Sequence, residues 1–349
     1  MPGRVVIFGW AESIHTQRWV QGLTRRGWQI RLVSQGGGPV PGVETINLGR
    51  YGKLSYFRHA AEAIHLAREF HPDLVHVHYA GGFGLWGTRC DFAPLLVSIW
   101  GSDVVDLGAF SIQRYLNRRL LRHARRISAT SNFLRDACIK LAPDLESRIT
   151  VIPFGVDLPA STVPMPPPPV RLCYIKKHSA TYGPEILLRA FSTVCQRIPD
   201  IKLTMAGDGD LTPLLKRLTG DLGLSSRVEF VGFVPHERIY SLLQEHHIMI
   251  MPSLSESFGV AVLEAAACAR PSIASRVGGV PEVLRDGETG LLVPPHDPAA
   301  LAGAIVRLAG EPETCRRMGE AAHRFVCLRY RWEESLNQMT SLYEQIIND

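Results

Sequence analysis

The sequence predicts an α/β protein built as two doubly wound, parallel-sheet domains in one chain. Three observations carry this. The first half alternates short apolar runs with helical stretches; five prolines then fall within residues 163–170; and after them the same alternation starts again. Strand–helix alternation at this spacing argues for parallel sheets covered by helices on both faces. A length of 349 residues suits two domains of ordinary size. The expected boundaries are 1–165 and 170–330.

Taken in order, residues 4–8 read as the first strand. Residues 15–26 read as a helix closed by Gly27, and 29–34 as a second strand. Residues 54–70 are helical in pattern, 73–79 and 95–100 are strands, an arginine-rich helix follows, and 126–130 is another strand. The prolines of 163–170 cannot continue a helix or an inner strand, so the segment reads as a semi-rigid linker. Beyond it come a strand at 170–175, a helix at 184–197, a strand at 201–206 and a helix at 211–218. Strands at 228–230, 247–251 and 272–274 complete the reading. Ligands of such sheets sit beyond the carboxyl ends of the strands. With two such domains, the cleft between them is the default site.

Composition removes other classes. The chain is 46% hydrophobic and 20% charged, so it is neither disordered nor fibrous. No apolar run approaches the roughly 18 residues of a membrane span. The run from Val5 to Trp10 is too short for a signal-peptide core and reads as a buried strand. Seven cysteines form no CxxC pair, which argues for a reducing, cytoplasmic setting and against a disulfide scaffold or a zinc ribbon.

Charge is uneven. Residues 1–165 carry 19 Lys and Arg against 12 Asp and Glu, whereas the remainder carries 19 against 21. Arg114, Arg118, Arg119, Arg122, Arg125 and Arg126 cluster in one helical segment. Two readings stand: a helix with a solvated basic face, or a surface that meets anionic lipid or a phosphate-bearing acceptor. No base-stacking aromatic pattern accompanies the arginines, so nucleic acid is not expected.

The most informative stretch runs from Pro252 to Ala265. It follows a strand and enters a run of Ala, Val and Leu that should be a buried helix. A loop leading into a helix start offers free N–H groups and a positive dipole end, which suits a diphosphate. Gly259 permits close backbone approach. Glu256 lies at the mouth of this turn, and Glu264 lies in the apolar helix. Carboxylates accept sugar hydroxyls well.

Glu256 and Glu264 match the E-x7-E signature, and the surroundings agree in order. Ala206-Gly207-Asp208-Gly209, Phe230-Val231-Gly232-Phe233-Val234, Gly278-Gly279-Val280-Pro281-Glu282 and the run from Asp286 to Val293 accompany it. The sequence thus resembles the retaining GT-B glycosyltransferases of glycosyltransferase family 4, strongly over 170–310 and more loosely before that. The resemblance implies that Glu256 contacts the transferred sugar and Glu264 the nucleotide ribose. It also implies that Ser257, Phe258, Gly259 and Val260 hold sugar and diphosphate through their backbone, and that the base rests near Phe233 and Val234. Gly207 joins this donor-binding set. A helix over 331–349 is expected to return to the first, acceptor-side domain, leaving 170–330 as the donor domain.

Departures from the pattern are informative. The family usually supplies an Arg and, five residues later, a Lys before a glycine. Counting back from Gly183, these positions fall on Lys177 and Tyr182, with Lys176 or His178 available to compensate. A departing nucleoside diphosphate gains charge, so cations must be aimed at it. In the first domain Trp100 stands where the family often has His, and Asp103 keeps its place as the best polar candidate there, against a loop- or helix-capping role. His78, Glu12 and His15 are further acceptor-side candidates, although Glu12 and His15 also suit a helix start. His76 and His78 share a strand face, but a zinc site needs a third ligand, and Asp208-Gly209-Asp210 reads as a turn.

The expectation is a metal-independent retaining glycosyltransferase with no cofactor. It would move sugar from a UDP- or GDP-sugar to a hydroxyl acceptor. Glu256, Lys177 and Asp103 are the catalytic candidates. The basic first half favours a phosphate-bearing or lipid-linked acceptor and peripheral contact with the inner face of the membrane. A nucleotide-sugar 2-epimerase and a non-catalytic nucleotide-sugar-binding protein are the alternatives.

Overall fold

The computed structural model describes residues 3–49, 52, 54–105 and 111–349. The first of its two units comprises the residues up to Pro153 together with Glu334–Asp349, and the second comprises Phe154–Glu333.

The first unit is built on strands β1 (Arg4–Phe8), β2 (Gln29–Ser34), β3 (Glu44–Asn47), β4 (Leu74–His78), β5 (Leu95–Ile99), β6 (Arg126–Ala129) and β7 (Ile149–Val151). They form one parallel sheet in the order β3-β2-β1-β4-β5-β6-β7. Every residue of β4 and β5 is buried, as expected of inner strands covered on both faces. The first helix runs Ile14–Arg25, one residue earlier than its apolar pattern implies, because the Ser13 hydroxyl caps the Thr16 N–H. β4 stops at His78 since Tyr79 takes a φ of +76°. The helical stretch expected over 54–70 is interrupted at His59 between Ser55–Arg58 and Ala60–Glu69, although N–H to carbonyl bonds run through it.

Helix Trp332–Asn348 supplies part of this unit's core. Tyr343 packs edge-on against Trp28 at 5.1 Å, and its hydroxyl bonds His76 Nδ1 at 2.6 Å. Leu336 lies so close to Gly22 that a Cβ there would sit 2.7 Å from it.

The second unit carries β8 (Arg171–Ile175), β9 (Lys202–Ala206), β10 (Val228–Gly232), β11 (Ile248–Met251), β12 (Ser272–Ser275) and β13 (Gly290–Val293). Its parallel sheet runs β10-β9-β8-β11-β12-β13. The chain lays β9 and β10 on one side of β8 and then returns to place β11 on the other. Loops leaving β8 and β11 are therefore neighbours at the switch point, where open α/β sheets bind ligands.

The proline segment is not a free linker. The division falls after Pro153, and residues 154–165 belong to the second unit. Arg270 is buried, and its guanidinium donates to the carbonyls of Val163, Pro164, Gln244, His246 and Cys268 at 2.7–3.2 Å. Two of those carbonyls belong to the proline segment, so a side chain fastens it to the sheet. Arg270→Ala leaves these buried acceptors without their donor. At about 1–3 kcal/mol for an unsatisfied buried group, the loss should reach about 3 kcal/mol or more. Urea denaturation of the variant will show it as a lower midpoint.

Candidate functional site

In the second unit the site begins with two strands ending side by side. Lys176 N–H bonds Ala206 O at 3.1 Å, and His178 N–H bonds Asp208 O at 3.0 Å. Gly207 makes this approach possible. Its φ is +132°, and a Cβ would lie 2.0 Å from the Lys176 carbonyl oxygen. Gly207 thus shapes the turn that presents Lys176. His178, buried, bonds Thr212 Oγ1 at 2.9 Å, and Thr212 bonds Asp208 at 2.6 Å. Burial lowers its pKa below the ordinary histidine value, so it acts as a neutral fastener of this turn and does not supply the missing cation.

The loop after β11 is held from three directions. Leu254 N–H bonds Thr181 O at 2.8 Å, and Gly279 N–H bonds Glu256 O at 3.1 Å. The Phe258 ring is buried against Tyr330 at 5.9 Å and Phe154 at 6.3 Å. Phe258 therefore anchors the loop, and only its backbone is available to a ligand. Gly259, at φ +100°, turns the chain into helix Val260–Ala267. The first N–H groups of a helix have no partner within it, and its dipole favours anions.

Charged side chains meet at this place. Lys176 Nζ lies 2.5 Å from Glu256 Oε2, with both side chains mostly shielded from solvent. Tyr182, standing where the family has Lys, sets its ring 5.0 Å from the same Nζ. The cation beside Glu256 is therefore Lys176, whereas the Lys177 side chain is exposed. Both residues lie just beyond the end of β8, where the bond from Lys176 N–H to Ala206 O still fixes the backbone. Glu264 is buried in its helix, and its Oε1 lies 3.5 Å from His236 Nδ1. Arg270 and Arg276, basic residues close to Glu264 in sequence, are engaged elsewhere: Arg270 holds carbonyls, and Arg276 pairs with Asp286 at 2.5 Å. Phe233 is 78% exposed and Val234 half-buried beyond the end of β10.

In the first unit, His78, Trp100 and His15 form an aromatic cluster at the carboxyl ends of β4 and β5. His78 lies 4.8 Å from Trp100, and His15 6.1 Å from it, ring to ring. His78 Nδ1 faces Thr16 Oγ1 at 3.3 Å, and its buried Nε2 has no hydrogen-bond partner among the described residues. His76 is a core residue, its two nitrogens bonded to Tyr343 and Ser98 hydroxyls. Glu12 is exposed and precedes the Ser13 cap.

Asp103 takes the loop-organising role that the sequence offers beside a catalytic one. It is buried, and its carboxylate accepts from the N–H groups of Ala80, Trp100 and Gly101. Burial raises its pKa while those donors oppose the rise. Its oxygens tie the loop after β4 to the loop after β5.

A family model described as glycosyl transferases group 1 matches residues 164–325, and one described as glycosyl transferase 4-like matches residues 4–131. The chain belongs to the group 1 glycosyltransferases, of GT4 type. This glycosyltransferase-family chain is 34% identical over 173 residues to an alpha-D-kanosaminyltransferase of Streptomyces kanamyceticus, covering 50% of this chain and 45% of that one. It is 35% identical over 171 residues to a D-inositol 3-phosphate glycosyltransferase of Corynebacterium urealyticum, covering 47% and 40%. The match spans less than half the length of these relatives. Its fold matches HepE of Anabaena in complex with UDP-glucose, with a TM-score of 0.85, 17% identity and coverage of 98% and 100%. The paired Rossmann-like sheets are those of GT-B glycosyltransferases.

Two features of this site carry no sequence motif. His236, the partner of Glu264, lies in a short turn with no motif of its own. Ser253, fully buried, keeps its Oγ without a hydrogen-bond partner among the described residues. Only its place between β11 and Glu256 hints at it.

The buried histidines of the first unit give a pH prediction. Burial pushes His78 down to about 3 and His76 well below its ordinary value. Below about pH 6.5 the unfolded chain binds protons that the folded chain refuses, so stability falls as pH drops from about 6.5 toward 3. Each such group adds about 1.4 kcal/mol per pH unit to the slope. Denaturation midpoints from pH 7 to pH 4 should fall steeply, and His78→Asn should flatten that fall whatever it does to stability at pH 7.

Proposed function

We propose that this chain is a retaining glycosyltransferase that moves a sugar from a UDP- or GDP-sugar to a hydroxyl acceptor without a divalent metal. The observation that carries the reading is the Lys176–Glu256 pair, set beside the Gly259 turn with Glu264 buried on the helix that follows. In this reading the N–H groups at the start of helix Val260–Ala267 and the Lys176 ammonium receive the diphosphate. Glu256 accepts hydroxyls of the sugar, and Glu264, oriented by His236, accepts those of the ribose. The base rests at the exposed Phe233 and the half-buried Val234.

The leaving diphosphate gains negative charge as the glycosidic bond breaks, and a fixed cation nearby lowers that barrier. Lys176 is a point charge and does not grip phosphate bidentately, so the backbone carries more of the orientation. No carboxylate is identifiably placed as a nucleophile. We read the reaction as front-face: the bond from the anomeric carbon to the phosphate oxygen breaks, the bond to the acceptor oxygen forms on the same face, and the acceptor proton passes to the leaving phosphate. The relatives' names support a sugar-transfer reading, and the inositol phosphate enzyme supports a phosphate-bearing acceptor. No described helix is long and apolar enough to cross a membrane. We place the protein in the cytoplasm, peripheral to the inner membrane face through the basic first half.

The test is a thermal-shift panel with UDP, GDP, ADP and NAD on the wild type and Glu264→Ala. A nucleotide at a hundred times its Kd stabilises by about 2.7 kcal/mol. One of UDP and GDP should raise the wild-type melting temperature, with a smaller shift in the variant; an equal shift would sink the role of Glu264. Once a donor is known, Lys176→Met should lower kcat by about a hundredfold or more, as loss of a charge-stabilising group does. Product NMR should show the donor's anomeric configuration, and turnover should persist in EDTA.

A further inference from the structure

The first unit holds a cavity of about 890 Å³ that the donor chemistry leaves unused. Its walls come from the helix Ser55–Arg58, the turn at Gly81 and Gly82 with helix Gly84–Gly87, and one face of helix Ile112–His123. The volume is in the upper range of small-molecule sites. The lining is of two kinds. Tyr56, Phe57, Leu85, Leu116 and Leu120 give it an apolar body, and Arg89 and Arg119 give it two positive charges. No Asp or Glu stands among the described lining residues. Arg119 has no ion-pair partner among the described residues, and Arg89 donates only to the Leu85 carbonyl, at 3.1 Å.

The surface around this cavity has the same double character. Ile112, Tyr115 and Leu116 stand exposed on the arginine-rich helix, and Leu54 and Phe57 stand exposed nearby in sequence to Tyr56. Arg122 is neutralised by a two-pronged bond to Asp144, whereas Arg118 and Arg119 on that helix carry no salt bridge among the described residues. Water satisfies the arginines and not the apolar side chains; an anionic lipid interface satisfies both.

We infer that this cavity seats an anionic lipid: a phosphate ester on a long apolar chain. The chain lies against Phe57, Leu85 and Leu116, and the phosphate meets Arg119 and Arg89. Two arginines around one phosphate form charge-assisted bonds that a neutral headgroup cannot match. That the lipid is the hydroxyl acceptor rests on the glycosyl-transfer reading; that it binds here does not.

The experiment is calorimetric titration of the full chain with octyl phosphate below its micellar threshold, beside inorganic phosphate and the neutral octyl glucoside. Octyl phosphate should saturate, and each control should bind at least tenfold more weakly. Arg119→Glu should weaken octyl phosphate at least tenfold at an unchanged melting temperature, as the side chain is exposed; Arg89→Gln serves if that variant misfolds. Vesicles of phosphatidylcholine with added phosphatidylglycerol should co-float the wild type, and pure phosphatidylcholine should not. Equal binding of inorganic phosphate would reduce the site to a free-phosphate site, and equal binding of octyl glucoside would remove the charge. Either result overturns the inference, as does indifference to both arginine variants. Because no donor is present, the outcome does not depend on whether sugar is transferred.

Discussion

In a parallel sheet the central strand has a neighbour on each side, and in the second unit those neighbours arrive by different routes. β9 follows β8 through one helix, whereas β11 reaches the other side only after β10 has been laid at the edge. The loops leaving β8 and β11 consequently diverge around the switch point. One brings Lys176 and the other brings Glu256, from positions 80 residues apart in sequence. Gly207 then lets the end of β9 close against the backbone of Lys176, and Gly279 lies against Ser257 from the far side. The ion pair is the product of these backbone approaches, and its geometry would shift if either glycine gained a side chain.

The two units use the same architecture to different ends. The second concentrates buried acids, a cation and a helix start at its switch point. The first engages its corresponding polar groups in its own structure: Asp103 clamps two loops, and His76 joins a chain of hydroxyls through Tyr343, Ser98 and Ser128. What the first unit offers outward is aromatic and basic.

Much of this was legible in sequence. Glu256 and Glu264 were identifiable because a charged residue in an apolar helix and a fixed spacing survive without coordinates. Inner strands were found because burial on both faces writes an unbroken apolar run. The edge strands β3, β7 and β13 are absent from the sequence reading, since three or four residues are too few to show a period. Counting back from Gly183 points to Lys177, whereas the ammonium beside Glu256 is that of Lys176, because a count along the chain does not say which of two adjacent residues beyond a strand end turns toward the site. Asp103 kept its place in the motif, but sequence does not say whether a carboxylate meets a ligand or three backbone N–H groups. The proline segment looked like a spacer because the side chain that secures it, Arg270, lies about a hundred residues downstream.

The helix that returns to the first unit has a consequence for biosynthesis. Domains generally fold as units and in order as the chain emerges from the ribosome. Here the core around Gly22, Trp28 and His76 lacks Leu336 and Tyr343 until residues 154–333 have been made. The first unit to be synthesised is thus the last to be completed. Until then His76 lacks the hydroxyl that Tyr343 supplies, and Trp28 lacks the ring that packs on it.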